Sequence, residues 1–328
     1  MFEGKSILVT GGTGSFGKEF VKTALAKYKL RKIIIYSRDE LKQSEMQSLA
    51  EFKDPAVRFF LGDVRDRDRL ELAMRGVDYV VHAAALKQVP AAEYNPHEFI
   101  KTNVNGAPNV VDAALKAGVR KVLALSTDKA VNPVNLYGAT KLCSDKVFIA
   151  ANSYGGQDGT IFSVVRYGNV VGSRGSVAPI FQKQRELGSL TITNPDMTRF
   201  LLTIKQGAEF VFKSLEEMVG GELFIPKIPS CTVGEIANVI APSCEWEITG
   251  LRPGEKMHET LIPEDESRNV LEFKDHFVIQ PIKSFWGNKI GIKGGKKCQQ
   301  GFVYASNNNS EHCTESALKD LLEDFIQE

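Results

Sequence analysis

Short apolar runs, rich in β-branched residues and each followed by a polar turn, recur through the first half of the chain. Ser6-Ile-Leu-Val-Thr10, Lys32-Ile-Ile-Ile-Tyr-Ser37, Val57-Arg-Phe-Phe-Leu61, Val77-Asp-Tyr-Val-Val81, Val122 to Leu125 and Thr160-Ile-Phe-Ser-Val-Val-Arg-Tyr167 are such runs. That pattern marks strands, and Ser6–Thr10 reads as a buried one. Between them the apolar spacing turns helical, as in Phe20, Val21, Ala24 and Leu25, and again from about Pro96 to Ala117. Regular alternation of this kind predicts an α/β fold, a Rossmann-type doubly wound parallel sheet with ligands at the carboxyl ends of its strands. The alternation stops after Tyr167, where Gly168-Asn-Val-Val-Gly-Ser-Arg-Gly-Ser176 is a glycine-punctuated loop with polar tips. A smaller, C-terminal substrate-binding lobe is expected from there. We assign residues 1–168 and 201–226 to a dinucleotide-binding domain, and 169–200 and 227–328 to the second lobe.

The first turn carries the first chemistry. Gly11-Gly-Thr-Gly-Ser-Phe-Gly17 lies between a strand and a helix. There Gly11, Gly14 and Gly17 permit a tight turn, close approach of backbone to a pyrophosphate, and close helix–strand packing, and the helix N-terminus offers free amides to phosphate. Thr13, Ser15 and Phe16 fall in the same loop. The second strand ends in Ser37, Arg38 and Asp39, with Lys42 one turn on. An acid there binds an adenosine ribose and an arginine accommodates a 2′-phosphate, so NADP is favoured over NAD. The competing reading makes Arg38 and Lys42 ordinary solvated charges and lets Asp39 hold the ribose. Asp63 and Val64, closing the third strand, fit an adenine edge, and Ala83, Ala84 and Ala85 let a cofactor lie against backbone. Lys87 follows in the loop that overhangs the site, unless it is simply a surface lysine.

Past the fifth strand stand Thr127, Asp128 and Lys129, then Tyr137 and Lys141, four residues apart and so on one helical face. A free tyrosine titrates near pH 10. A nearby ammonium and a positively charged nicotinamide ring would favour its phenolate, letting Tyr137 deprotonate an alcohol while hydride leaves the same carbon. Lys141 would also hold the nicotinamide ribose. A sugar oxidised in this way at C4 has an acidic C5 proton. Lys129, with its pKa lowered by desolvation, could remove it, Asp128 could protonate a departing C6 hydroxyl, and Thr127 could hold the C4 oxygen. Otherwise Asp128 and Lys129 cap the turn and pair with each other. Further on, Arg199, Arg252 and Lys256 suggest a second anionic ligand, since guanidinium forks suit phosphate.

Composition narrows the classes. The 328 residues are 43% hydrophobic and 25% charged with a net charge of +1, which supports neither nucleic-acid nor membrane-surface binding. Cys143, Cys231, Cys244, Cys298 and Cys313 form no C-x-x-C, so reduced thiols and no metal site are expected. With no signal peptide and no apolar stretch of about 18 residues, a soluble cytoplasmic protein is expected. The stretch from Ser284 to Glu328 says nothing about function.

Taken in order, T-G-G-T-G-S-F-G, S-R-D-E, G-D-V-R-D, A-A-A-L-K-Q-V-P, S-T-D-K-A, N-P-V-N-x-Y-G-A-T-K and R-Y-G-N-V-x-G-S-R-G-S resemble the inverting UDP-N-acetylglucosamine 4,6-dehydratases, extended short-chain dehydrogenase/reductases that begin pseudaminic acid biosynthesis. The resemblance runs from Met1 to about Pro281. It implies bound NADP, UDP-N-acetylglucosamine as substrate and a 4-keto-6-deoxy product inverted at C5. It matches the catalytic set to Thr127, Asp128, Lys129, Tyr137 and Lys141. Lys129 marks the inverting branch, because retaining relatives carry glutamate there. It implies substrate contacts at Lys87, Asn169, Ser173 and Arg174, and uridine diphosphate contacts at Met197, Thr198, Arg199, Arg252 and Glu255. It also implies a homo-oligomer, with hexamers known among such enzymes. The rival readings are a UDP-sugar 4-epimerase, a capsule-pathway inverting dehydratase and a non-catalytic nucleotide sensor.

Overall fold

The structure is a computed structural model and describes residues 1–155, 159–173, 175–281 and 291–326. Its first half alternates as the apolar pattern predicts: β1 (Ser6–Thr10), α1 (Ser15–Lys27), β2 (Lys32–Ser37), α2 (Glu40–Ser48), β3 (Val57–Leu61), α3 (Arg67–Met74) and β4 (Tyr79–His82). Then come the short helices α4 (Val89–Tyr94) and α5 (Pro96–Phe99), α6 (Gly106–Ala117), β5 (Lys121–Thr127), α7 (Leu136–Ala150) and β6 (Ile161–Tyr167). The remainder is β7 (Asn169–Val170), α8 (Val177–Arg185), β8 (Ser189–Ile192), β9 (Thr198–Leu202), α9 (Ile204–Glu217), β10 (Leu223–Pro226), β11 (Ser230–Thr232), α10 (Val233–Ile240) and β12 (Glu245–Ile248). The chain closes with β13 (Thr260–Ile262), β14 (Val270–Glu272), β15 (His276–Ile279), β16 (Lys296–Lys297), β17 (Tyr304–Ala305) and α11 (Glu315–Leu321).

The main sheet has the order β3-β2-β1-β4-β5-β6-β10, all parallel, continued by antiparallel β15, β14 and β16. Strand order reverses between β1 and β4, the switch point where such sheets bind their ligands. β1 and β5 are buried almost throughout, as continuous apolar runs between two helical layers should be. A second core, built on Phe181, Leu190, Ile192, Leu201, Ile236 and Ile240, holds the smaller lobe together.

Several boundaries differ from the sequence expectation. The helix expected from Pro96 to Ala117 is broken by a π-helical turn, Ile100–Val104. That turn aims Asn103 at the Lys87 loop, where its Oδ1 accepts from the Leu86 N–H and its Nδ2 donates to the Leu86 carbonyl, both at 2.8 Å. The loop expected at Gly168–Ser176 begins with β7, which pairs with β9. β9 itself runs across the expected 200/201 boundary. β14 and β15 fall in the stretch expected in the second lobe, yet hydrogen-bond into the main sheet.

Candidate active site

The predicted cofactor loop is built as its glycines require. Gly11 has φ +67, and a Cβ there would lie 2.9 Å from the Ala84 backbone, so the end of β1 can approach the end of β4 only without a side chain. Helix α1 starts at Ser15 with no side-chain cap, which leaves its first amides free for an anion. Gly11, Thr13, Gly14, Ser15, Phe16, Gly17, Ser37, Arg38, Asp39, Lys42, Asp63, Val64, Ala83, Ala84 and Ala85 all line one cavity of about 820 Å³. The Asp39 carboxylate caps its own helix, accepting from the Lys42 N–H at 3.0 Å, and pairs with Lys42 Nζ at 2.5 Å. Arg38 reaches to 3.8 Å from Asp63. This cleft, uncapped helix end and bare backbone fit a dinucleotide.

The same cavity continues past Thr127, Lys129, Tyr137 and Lys141 into the second lobe. Thr127 ends β5, and the chain then makes one 3₁₀ turn, Asp128–Ala130, before α7. A Cβ at Gly138 would fall 2.1 Å from the Lys129 carbonyl oxygen, so this glycine is what lets α7 press on that turn and bring Tyr137 beside Thr127. The Thr127 side chain interacts with the Tyr137 phenol and opposes the rise that burial gives it. Thr127 Oγ1 donates to Asp128 Oδ1 at 2.8 Å, and Lys129 Nζ donates to the same oxygen at 3.1 Å. Lys129 Nζ also lies 3.3 Å from Glu259 Oε1.

The electrostatics depart from the sequence expectation in three places. Burial opposes charge on Lys129, but the carboxylates of Asp128 and Glu259 outweigh it and hold Lys129 above its ordinary value. The expected lowering assumed a lysine without Glu259. Tyr137 is pushed up to about 12, chiefly by burial; the cation that opposes this is Lys129. Lys141 is instead lowered by burial, with Asp145, four residues on, as its counter-charge. Asp128, expected to act on substrate as an acid, has no exposed surface. Its Oδ1 is taken up by Thr127 and Lys129, and its Oδ2 is buried without a hydrogen-bond partner.

Of the expected substrate contacts, Lys87, Asn169, Ser173, Met197, Arg199, Arg252 and Glu255 line the second-lobe end of the cavity. Lys87 Nζ is 3.5 Å from Ser173 Oγ. Asn169 Oδ1 is buried without a hydrogen-bond partner, which suits a ligand donor. Arg174 lies outside the described residues. Thr198 does not face the cavity; its hydroxyl is held by His258 Nδ1 at 2.8 Å and Ser306 Oγ at 2.6 Å. Arg199 spends its terminal nitrogens on the backbone carbonyls of Thr198, Lys256 and Met257, at 2.7, 3.0 and 3.1 Å, and so clamps the loop before β13. Lys256 Nζ ties that loop to the Val131 carbonyl at 2.6 Å.

Glu259 was missed by sequence reasoning. It is 3% exposed, lines the cavity and faces Lys129 from a remote part of the chain. In sequence it is one acid after Lys-Met-His, with no spacing to mark it. Among the described residues, no cluster of His, Cys, Asp and Glu is placed to hold a metal ion, and no helix is long and apolar enough to cross a membrane.

Comparison with known proteins matches residues 7–281 to the family described as polysaccharide biosynthesis protein. The UDP-N-acetylglucosamine 4,6-dehydratase (inverting) of Campylobacter jejuni strain 81-176 is 54% identical, over 98% of either chain. The UDP-glucose 4-epimerase of Rickettsia conorii is 39% identical, over 100% of this chain and 98% of its own. Among solved structures, Pen from Bacillus thuringiensis superposes with a TM-score of 0.90 at 36% identity, covering 99% of this chain and 98% of Pen.

Proposed function

Because the chain belongs to the polysaccharide biosynthesis protein family, we propose that it is an NADP-dependent UDP-N-acetylglucosamine 4,6-dehydratase, a hydro-lyase that inverts C5. The observation that carries this reading is Lys129, held beside Tyr137 in the cavity with carboxylates on both sides. Oxidation and re-reduction at C4, all that a 4-epimerase performs, call on the Tyr137 pair alone. A second proton-moving group next to it equips the site for elimination.

In this reading Tyr137 takes the C4 hydroxyl proton, and Thr127 steadies the phenol and the C4 oxygen. A nicotinamide nucleotide in the glycine-loop cleft supplies the hydride acceptor for C4 and the donor for C6. Lys141 holds its ribose. Lys129 removes the C5 proton made acidic by the C4 ketone, and an acid must protonate the C6 oxygen as it leaves. A proton delivered to the opposite face of C5 completes the inversion. NADP is supported by Asp39, whose carboxylate is engaged by Lys42 and the α2 N-terminus, with Arg38 beside it at the cavity wall. Lys87 and Arg252, together with the unpartnered oxygen of Asn169, equip the far end for a nucleoside diphosphate sugar. The motifs alone support pseudaminic acid biosynthesis as the pathway. The free cysteines and the family resemblance support a cytoplasmic homo-oligomer.

Incubation with UDP-N-acetylglucosamine in heavy water tests the proposal. The expected product is lighter by one water and carries deuterium at C5 with inverted configuration. Retained configuration removes the inverting assignment. A C4 epimer of unchanged sugar composition makes the protein an epimerase.

A further inference from the structure

Lys141 lines the cavity but is almost wholly buried, so its ammonium sits where little water reaches it. Burial lowers Lys141, and Asp145 is the charge that opposes this. Asp145 stands four residues further along α7, on the same side of the helix. It too is buried, and it does not line the cavity, so it meets the reactants only through Lys141. Its Oδ2 accepts from Ser126 Oγ at 2.6 Å, and its Oδ1 is buried without a hydrogen-bond partner. Ser126 is the residue of β5 just before Thr127. One carboxylate therefore joins the helix of Tyr137 and Lys141 to the strand end of Thr127.

The surrounding elements bring further charges. Burial raises Asp145; Lys141, Arg166 and the Ser126 bond lower it, and Glu266 raises it. Arg166 stands opposite Ser126 on β6, and its guanidinium donates to Glu266 at 2.7 Å. From β4, His82 interacts with Lys141 and is neutral, being lowered to about 3. Burying an acid and a base on one helix does little for stability, because desolvation offsets their attraction. The pair is better explained by what its cavity end has to do.

We propose that Asp145 is a positioning residue for the oxidation step: through Ser126 it sets α7 against the end of β5, and it keeps Lys141 an ammonium in the dry cleft. The inference rests on the part of the proposed function that assigns C4 oxidation to Tyr137 and Lys141, a step that a dehydratase and an epimerase share. A neutral Lys141 would hold ribose hydroxyls more weakly, since charge-assisted hydrogen bonds are about twice as strong as neutral ones. It would also lose the positive charge that favours the Tyr137 phenolate.

The test uses the full chain as wild type, Asp145→Asn, Ser126→Ala, Lys141→Met and the double variant Asp145→Asn with Lys141→Met. Asparagine keeps the shape of Asp145 and can still accept from Ser126, so the charge alone is removed. At mildly alkaline pH, Asp145→Asn should weaken NADP binding to stripped protein by roughly 10-fold. In the Lys141→Met background the same change should alter affinity by less than about twofold. The Asp145 carboxylate favours the charged lysine, so its loss lets Lys141 deprotonate at lower pH. The alkaline limb of cofactor reduction by UDP-N-acetylglucosamine should then move down by about 1 pH unit or more, with KM for the sugar little changed. Ser126→Ala should move both readouts the same way by less, which decides the matter if Asp145→Asn folds poorly. Equal loss of NADP affinity in both backgrounds, or a rate reduced by one factor at every pH, marks a merely structural part and overturns the inference. Wild type that leaves its cofactor oxidised with this sugar overturns the substrate reading, and the affinity cycle on NADP still decides the role of Asp145.

Discussion

The side chain of Asn135 reaches across the cleft to Gly254: its Nδ2 donates to the Gly254 carbonyl at 2.8 Å, while its Oδ1 accepts from the Gly138 N–H at 2.8 Å. One amide therefore caps the helix carrying Tyr137 and pins the second-lobe loop that carries Arg252 and Glu255. Asn135→Ala should lose both bonds and cost about 1–3 kcal/mol in urea unfolding. Asn135→Asp keeps the cap and loses only the donor to Gly254. It should be closer to wild type in stability, yet show a raised KM for the nucleotide sugar, because the loop is no longer tied to the helix.

Tyr137→Phe should reduce product formation by about 100-fold or more while the protein stays folded, as only the phenol hydroxyl is lost. The Tyr137 phenol is pushed up to about 12 by burial, with Lys129 opposing the rise. Removing that cation in Lys129→Met should raise it further. In C4 oxidation, followed separately from dehydration, the rising limb of the pH–rate profile should move to more alkaline pH. A limb that stays in place would show that Lys129 does not act on the phenol.

His82, wholly buried at the end of β4 and bonded through Nδ1 to Thr10 Oγ1 at 2.9 Å, is lowered to about 3, mainly by burial and then by Lys141. A histidine depressed in the folded state is neutral there while the unfolded chain binds a proton. Its contribution to stability is therefore complete above the unfolded value near 6.5 and is lost as pH falls toward 3. Between those limits the loss is about 1.4 kcal/mol per pH unit. Denaturant unfolding of wild type and His82→Gln across this window should show a steeper loss of stability with falling pH in the first than in the second, the difference being the His82 contribution.

Arg38→Ala should weaken NADP and leave NAD little changed. A charge-assisted bond to a 2′-phosphate contributes about 1.5–3 kcal/mol, or roughly 10- to 100-fold in affinity. Titration of both nucleotides into stripped protein measures this ratio. An unchanged ratio would assign the 2′ position to other residues.

Much of this site was legible in the chain because its signals are local. β1, the glycine loop and α1 are contiguous, and one turn of helix sets Tyr137 and Lys141 on one face. The Thr127-Asp128-Lys129 turn sits between a strand and a helix that the apolar pattern already marks. The sequence by itself thus determined the parallel sheet, the glycine loop between β1 and α1, and the shared helical face of Tyr137 and Lys141, since each depends on periodicity or spacing within about 15 residues.

Only the tertiary structure decided how those groups are charged and which of them meet the cavity. Asp128 and Lys129 are neighbours in sequence, but a single 3₁₀ turn buries the first and leaves the second lining the cleft. Arg199 stands in sequence as a phosphate fork, yet it is committed to backbone carbonyls. Glu259 reaches Lys129 because β13 pairs with β17 and Ser306 holds its backbone, a contact between distant segments. Charge and burial are properties of the assembled surroundings, and no pattern along the chain specifies which carboxylate the fold will bring to a given lysine.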